Sequence, residues 1–166
     1  MTKRQKDRDR YRQNRLGIQS GDVIAWRGKG LFAWIVRMFT KSPWTHVGVA
    51  VWWGDRLMVL DSYIGKGTRA RLLSRHAKGA YWIKSMAAWN QSAEGFALAE
   101  LGKEYSLQNL WKTWLGLALV KDEYHCAQYV AEVLTRADVP LWQDPPTPES
   151  VVREMAYGPV SLGARG

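Results

Sequence analysis

Two apolar, β-branched stretches, His46-Val47-Gly48-Val49-Ala50-Val51-Trp52-Trp53 and Arg56-Leu57-Met58-Val59-Leu60-Asp61-Ser62-Tyr63, flank the dipeptide Gly54-Asp55. Such a pattern specifies a β-hairpin, and a two-residue loop fixes its register. Trp53 then faces Arg56 and, counting back along both strands, His46 faces Tyr63. Asp61 lies two residues further on the same face, a diagonal neighbour of His46 at about 7–8 Å between backbones. A three-residue loop would turn Ser62 to that face and Asp61 away. A carboxylate ending an apolar strand needs solvent or a partner, and the imidazole is within its reach.

The remaining chain supplies elements to pack on this hairpin. Val23-Ile24-Ala25-Trp26 reads as a short buried strand, and Arg27-Gly28-Lys29-Gly30 as a turn. Leu31, Trp34, Ile35 and Met38 have helical spacing, which predicts a helix over 31–40 that Lys41-Ser42-Pro43 ends. Further strands are predicted at 68–73 (an edge strand after the loop Gly65-Lys66-Gly67) and at 81–86. Helices are predicted at 92–101 with Ser92 as cap, at 109–120, at 127–137 and, after Pro148, at 149–156. The helix at 127–137 is the clearest: Val130, Val133 and Leu134 line one face, and Glu132 and Arg136 form an i,i+4 pair. Strands followed by helices suggest an α+β fold with an antiparallel sheet. At 166 residues and 46% hydrophobic composition, residues 17–166 are expected to form one domain.

Charge and cysteine content narrow the function. The net charge is +9, and residues 1–15 hold seven basic and two acidic side chains, or +5 of that total. Residues 1–16 carry no apolar stripe and read as a basic arm, flexible or nascently helical. Such an arm is either a solvated tail or a contact for nucleic acid or an anionic membrane surface. One cysteine excludes an internal disulfide framework and a Cys-based zinc site, and three scattered histidines make no metal cage, so no metal and no cofactor are expected. No apolar run approaches the roughly 18–20 residues of a transmembrane segment. Leu16-Gly17-Ile18-Gln19-Ser20-Gly21-Asp22 is no signal-peptide core, so the chain is expected to be cytoplasmic as synthesised or to leave by a route that reads no signal.

Cys126 stands at the start of the clearest helix. There the helix dipole and the free N–H groups of the first turn favour a thiolate and could receive an oxyanion. An inert, buried small hydrophobe is the competing reading. A nucleophilic thiol needs a base and a group to orient it. His46 ranks first as base, with Asp61 beside it. His76, in the polar stretch Arg75-His76-Ala77-Lys78-Gly79, ranks well behind, and His125 adjoins Cys126 but should diverge from it.

Several segments occur in an order that resembles the circularly permuted NlpC-type papain-like cysteine hydrolases, most closely the YiiX-like branch and more distantly the lecithin–retinol acyltransferase-like enzymes. They are Gly21-Asp22-Val23-Ile24, Thr40-Lys41-Ser42-Pro43-Trp44-Thr45-His46-Val47-Gly48-Val49, Val59-Leu60-Asp61 before Gly65-Lys66-Gly67-Thr68-Arg69, Leu101-Gly102-Lys103-Glu104-Tyr105, and Tyr124-His125-Cys126-Ala127-Gln128-Tyr129-Val130. The resemblance spans about residues 17–157, with Thr147-Pro148-Glu149-Ser150 near its end. It implies a permuted papain-like fold with the nucleophile at a helix N-terminus: Cys126 as nucleophile, His46 as general base and acid, Asp61 as the orienting group. Tyr63, Tyr124 and Ala127 are then substrate-binding or oxyanion candidates. Two departures stand out. Ala127-Gln128 replace the Ser or Thr followed by Glu that related sequences carry after the cysteine, and the orienting residue is often the longer Glu.

The implied chemistry is acyl transfer, on cell-wall-type peptides as a peptidase or amidase or, alternatively, on lipid acyl esters or amides at a membrane surface. Trp26, Trp34, Trp44, Trp52 and Trp53 cluster in the sequence near these residues, as core filling or as an interfacial surface with Arg27, Lys29, Arg37 and Lys41. A wall hydrolase without a signal would be released by lysis or injection, as a phage-encoded or virion-associated enzyme. A non-catalytic virion or nucleic-acid-binding module that uses the arm is the reading from a different class.

Overall fold

The Gly54-Asp55 turn closes the hairpin in the register its length dictates, with Gly54 at φ +57° and Trp53 opposite Arg56 through Val49 opposite Leu60. The computed structural model describes residues 3–28, 42–63, 66–103, 126–141, 146–155 and 160–162. In chain order these form α1 (Lys3–Arg15), β1 (Val23–Trp26), β2 (His46–Trp53), β3 (Arg56–Tyr63), β4 (Gly67–Leu72), α2 (Leu73–His76), β5 (Ala80–Ile83), α3 (Gln91–Ala99), α4 (Cys126–Arg136), α5 (Pro148–Arg153) and β6 (Val160–Ser161). The predicted helices at 31–40 and 109–120 lie outside the described residues.

The six strands make one sheet in the order β4-β3-β2-β1-β5-β6, and every neighbouring pair is antiparallel. The strand-then-helix order anticipates this α+β architecture. Alternation along β1 and β2 divides their side chains between two cores. Val23, Ala25, Val47, Val49 and Val51 meet Ala127, Val130, Val133 and Leu134 of α4, with α3 and α5 completing that layer. Ile24, Ala50, Leu57 and Val59 are covered on the other face by Ile18, Leu73, Ala77 and Leu162.

Several boundaries differ from expectation for identifiable reasons. The cap of α3 is Asn90, not Ser92, because the Asn90 side chain accepts from Ala93 N at 2.9 Å. The strand predicted at 81–86 is β5, ending at Ile83. Beyond it Ser85 N turns to Asp22 Oδ1 at 2.9 Å, and Asp22 Oδ2 also accepts from Gln19 N and Trp82 Nε1, each at 2.8 Å. Asp22 is thus a buried staple between the entry to β1 and the exit from β5. The last helix starts at Pro148, under a reciprocal Thr147–Ser150 cap. The two-residue strand β6, paired to β5, carries no signal in its sequence. Residues 3–15 form a helix whose Tyr11 packs on the second core, while Arg15 Nη2 donates to the Asp55 carbonyl at 2.9 Å and its guanidinium lies 5.1 Å from the Trp52 ring centre.

Gly48 marks the closest approach within the hairpin. A Cβ there would lie 2.7 Å from Val59 Cγ2, 2.8 Å from the Leu60 carbonyl oxygen and 3.1 Å from Asp61 Cβ. Gly48→Ala is therefore expected to cost about 1–3 kcal/mol by overpacking, read as a lower urea midpoint with an unchanged slope. A neutral substitution would mean that β2 and β3 lie further apart than described.

Candidate active site

Asp61, on β3, has no exposed side-chain surface, and its carboxylate gathers three cationic or ionisable groups. His46, the first residue of β2 and 14% exposed, donates from Nε2 to Asp61 Oδ2 at 2.6 Å. The shorter carboxylate reaches the imidazole directly, which fits the diagonal register of the hairpin. Arg71 takes both carboxylate oxygens, through Nε to Oδ1 at 3.2 Å and through Nη2 to Oδ2. Arg69 brings its Nε to 3.7 Å from Oδ1, an ion pair without a hydrogen bond.

Strand pairing explains why both arginines arrive there. Asp61 faces Arg69 and Val59 faces Arg71 across the β3–β4 pair, so residues two apart on β4 share the Asp61 face. Sequence reasoning missed these arginines. Their signal was the i,i+2 spacing in Thr68-Arg69-Ala70-Arg71, but its meaning depends on a β3–β4 register that the loop Gly65-Lys66-Gly67 does not dictate.

Cys126 opens α4, whose apolar stripe seats the helix on the sheet. It lies near enough to the His46 imidazole to help raise its pKa. With Nε2 committed to Asp61, Nδ1 is the ring nitrogen left for the sulfur. Burial opposes the imidazolium, but the Cys126 charge, the hydrogen bonds from Asp61 and Cys126 and the Asp61 charge outweigh it. The His46 pKa is pushed up to about 9. Burial would raise Asp61, yet the hydrogen bond and charge of His46, followed by those of Arg71, hold its carboxyl below the usual range.

The other predicted residues are placed as follows. The Tyr63 ring centre lies 4.8 Å from that of His46, and the side chain is exposed. Trp26 closes the opposite side of the imidazole at 5.4 Å. Ala127 follows Cys126 in α4 and is buried. Tyr124 and His125 lie outside the described residues. His76 belongs to α2 rather than to a loop. Its Nδ1 lies 3.0 Å from Arg71 Nη1, and its carbonyl accepts from Trp26 Nε1 at 3.0 Å. An arginine only donates, so Nδ1 accepts and the ring is neutral, with its proton on Nε2. Burial and then the Arg71 charge lower the His76 pKa, consistent with that state. His76 therefore stands behind Arg71, as a support rather than a rival base.

Together these elements define an α+β protein with a Cys–His–Asp cluster at one end of an antiparallel sheet. No family model and no curated protein matches the sequence. Among solved structures, the chain is similar to the metalloprotein YiiX (DUF1105) of Escherichia coli O157:H7, at 16% identity and a TM-score of 0.60, over 86% of this chain and 88% of that one. The fold is YiiX-like. That protein is described as a metalloprotein, but the donors here do not suit a cation. Both Asp61 oxygens are engaged by Arg71, and no group of three or more His, Cys, Asp or Glu side chains suited to a metal occurs among the described residues.

Arg71→Gln leaves the buried Asp61 charge without its main partner and is expected to cost about 3–5 kcal/mol in urea unfolding. Adding Asp61→Asn should recover part of that loss; strict additivity would show that the two side chains do not interact.

The pH dependence follows from the shift of His46. Its unfolded pKa is about 6.5 and its folded value about 9. The stability it contributes is complete below the first value and is lost as pH rises through the second. Asp61 acts in the opposite sense, contributing fully above the ordinary carboxylate range and losing its share as pH falls through its lower folded value. Thermal melts of the wild type should therefore decline between about pH 6.5 and pH 9, and His46→Ala should flatten that limb. Parallel curves for the two proteins would contradict the assigned shift.

Proposed function

We propose that this chain is a cysteine hydrolase of the peptidase or amidase type that works by acyl transfer. The observation that carries the reading is the His46–Asp61 hydrogen bond at 2.6 Å, on an imidazole whose pKa Cys126 helps to raise. The Cys126 sulfur attacks an amide carbonyl carbon and forms a C–S bond. Backbone N–H groups of the first turn of α4, that of Ala127 among them, receive the oxyanion. The His46 imidazolium gives its proton to the departing amine as the C–N bond breaks, leaving a thioester. Water then attacks the thioester while His46 Nδ1 takes its proton; collapse releases the acid and restores the thiolate.

Asp61 accepts from Nε2–H throughout, which fixes the ring orientation and supports the charged imidazolium. An imidazolium that persists to about pH 9 suits the acid step, because the leaving amine needs a proton at neutral pH. The sequence resemblance supplies two substrate classes, cell-wall-type peptides and lipid acyl esters or amides, and the first is the one proposed. On α1 the exposed Lys6 and Arg10 share one face and the exposed Arg8 and Arg12 the opposite one, each pair available for an anionic contact.

Cys126 is the sole cysteine of the chain, so alkylation reports on it directly. Iodoacetamide should label the wild type rapidly well below pH 8, and His46→Ala should slow that labelling by about tenfold or more at pH 7. Cys126→Ala should abolish peptide hydrolysis while leaving the melting curve nearly intact. Sluggish labelling at every pH, indifferent to His46, would defeat the hydrolase reading.

A further inference from the structure

We propose that Arg69 binds a carboxylate on the acyl donor, beside the Cys126–His46 pair; this rests on the hydrolase reading above and extends it to the class of substrate. The first reason is charge. Asp61 carries one negative charge, and Arg71 already engages both of its oxygens while His46 donates to one of them. Arg69 is therefore a cation in excess of what the buried anion requires.

The second reason is bonding. Arg71 directs Nε and Nη2 at the carboxylate and Nη1 at His76. Arg69, by contrast, reaches the same carboxylate only at 3.7 Å, and its buried Nε has no hydrogen-bond partner. Buried donors of charged groups are seldom left so.

Position supplies the third. The Arg69 guanidinium lies over the Tyr63 ring at 4.8 Å, and that ring lies 4.8 Å from the imidazole of His46. Its side chain is 29% exposed and that of Tyr63 is exposed as well, so the cation stands at the open margin of the site rather than inside it. Stacking on an aromatic plate limits the rotamers of a long side chain and leaves its planar fork presented to a two-oxygen anion. A carboxylate on a peptide donor meets that geometry with two parallel N–H···O bonds and cancels the surplus charge. The carboxylate would be held one side chain away from the base, close enough to set where the scissile carbonyl lies over the sulfur.

Charged and neutral alkylating reagents test this without knowledge of the natural substrate. Iodoacetate carries the carboxylate that iodoacetamide lacks, and both report on the single thiol. The ratio of their rates on Cys126 should fall about tenfold in Arg69→Gln, the loss of one charge-assisted contact. Arg69→Lys, which keeps the charge but not the planar fork, should give a ratio between those of the wild type and Arg69→Gln, and Arg56→Gln, which removes an exposed charge at the far end of β3, should leave it as in the wild type. N-acetylglutamate should slow iodoacetamide labelling of the wild type but not of Arg69→Gln.

The outcomes separate the two claims. Slow iodoacetamide labelling that ignores His46 removes the hydrolase reading. Fast, His46-dependent labelling with the same reagent ratio in wild type and Arg69→Gln overturns the Arg69 assignment alone. Protection by diethyl phosphate and not by N-acetylglutamate overturns the carboxylate in favour of a phosphodiester group. Melting curves of Arg69→Gln and Arg69→Lys establish that both variants are folded before the rates are compared.

Discussion

The site depends on one buried charge. A carboxylate withdrawn from water costs several kcal/mol unless it is paired and hydrogen-bonded, and Asp61 has no exposed side-chain surface at all. Its oxygens are satisfied by two strands at once, β2 through His46 and β4 through Arg71. The same contacts that make the charge tolerable also hold the imidazole in one orientation and bind the edge strand β4 to the hairpin. Orientation of a candidate base and cohesion of the sheet are therefore the same interaction, seen from two sides. Gly48 belongs to this arrangement as well: with no side chain of its own, it lets Asp61 and its neighbours close over that part of β2.

Much of the base half was legible because it is local. Gly54-Asp55 left two loop lengths open, and the two-residue one, which the fold adopts, brings Asp61 diagonally across from His46. The antiparallel α+β class followed from element order, and α4 from an apolar stripe that only one helical face can bury. What stayed hidden was whatever depends on a partner distant in sequence. Arg69 and Arg71 look like the solvated charges of an edge strand until β4 is known to pair with β3 in the register that turns both toward Asp61. Ser92 and Asn90 are equally good caps on composition, and the backbone before α3 selects the earlier one. β6 is too short for periodicity to announce it.

His76 shows how residue type can mislead when partners are unknown. Three histidines invite a search for the base among all of them, and a histidine in a polar stretch seems free to move. In the fold the donor-only chemistry of Arg71 forces His76 Nδ1 to accept, which removes it as a base at that nitrogen and makes it the outer end of a hydrogen-bonded series. The series runs from His76 through Arg71 and Asp61 to His46. Each member fixes the protonation state or orientation of the next, so a neutral imidazole at one end and a charged one at the other are consistent with a single arrangement of donors.

The two halves of the site differ in what their loss would cost the fold. The base half, residues 46–76, is built from strand pairing and a buried ion pair; removing a partner there strands a charge and should weaken the sheet. The sulfur arrives by a separate route, at the end of a helix seated by Val130, Val133 and Leu134 on the opposite core. Its side chain packs, partly buried, against that core. Replacing that sulfur removes apolar contact but strands no charge, whereas replacing Asp61 leaves Arg69 and Arg71 without their anion. Cys126 both packs against that core and raises the pKa of the imidazole that Asp61 orients, and the acyl-transfer proposal rests on the second of these.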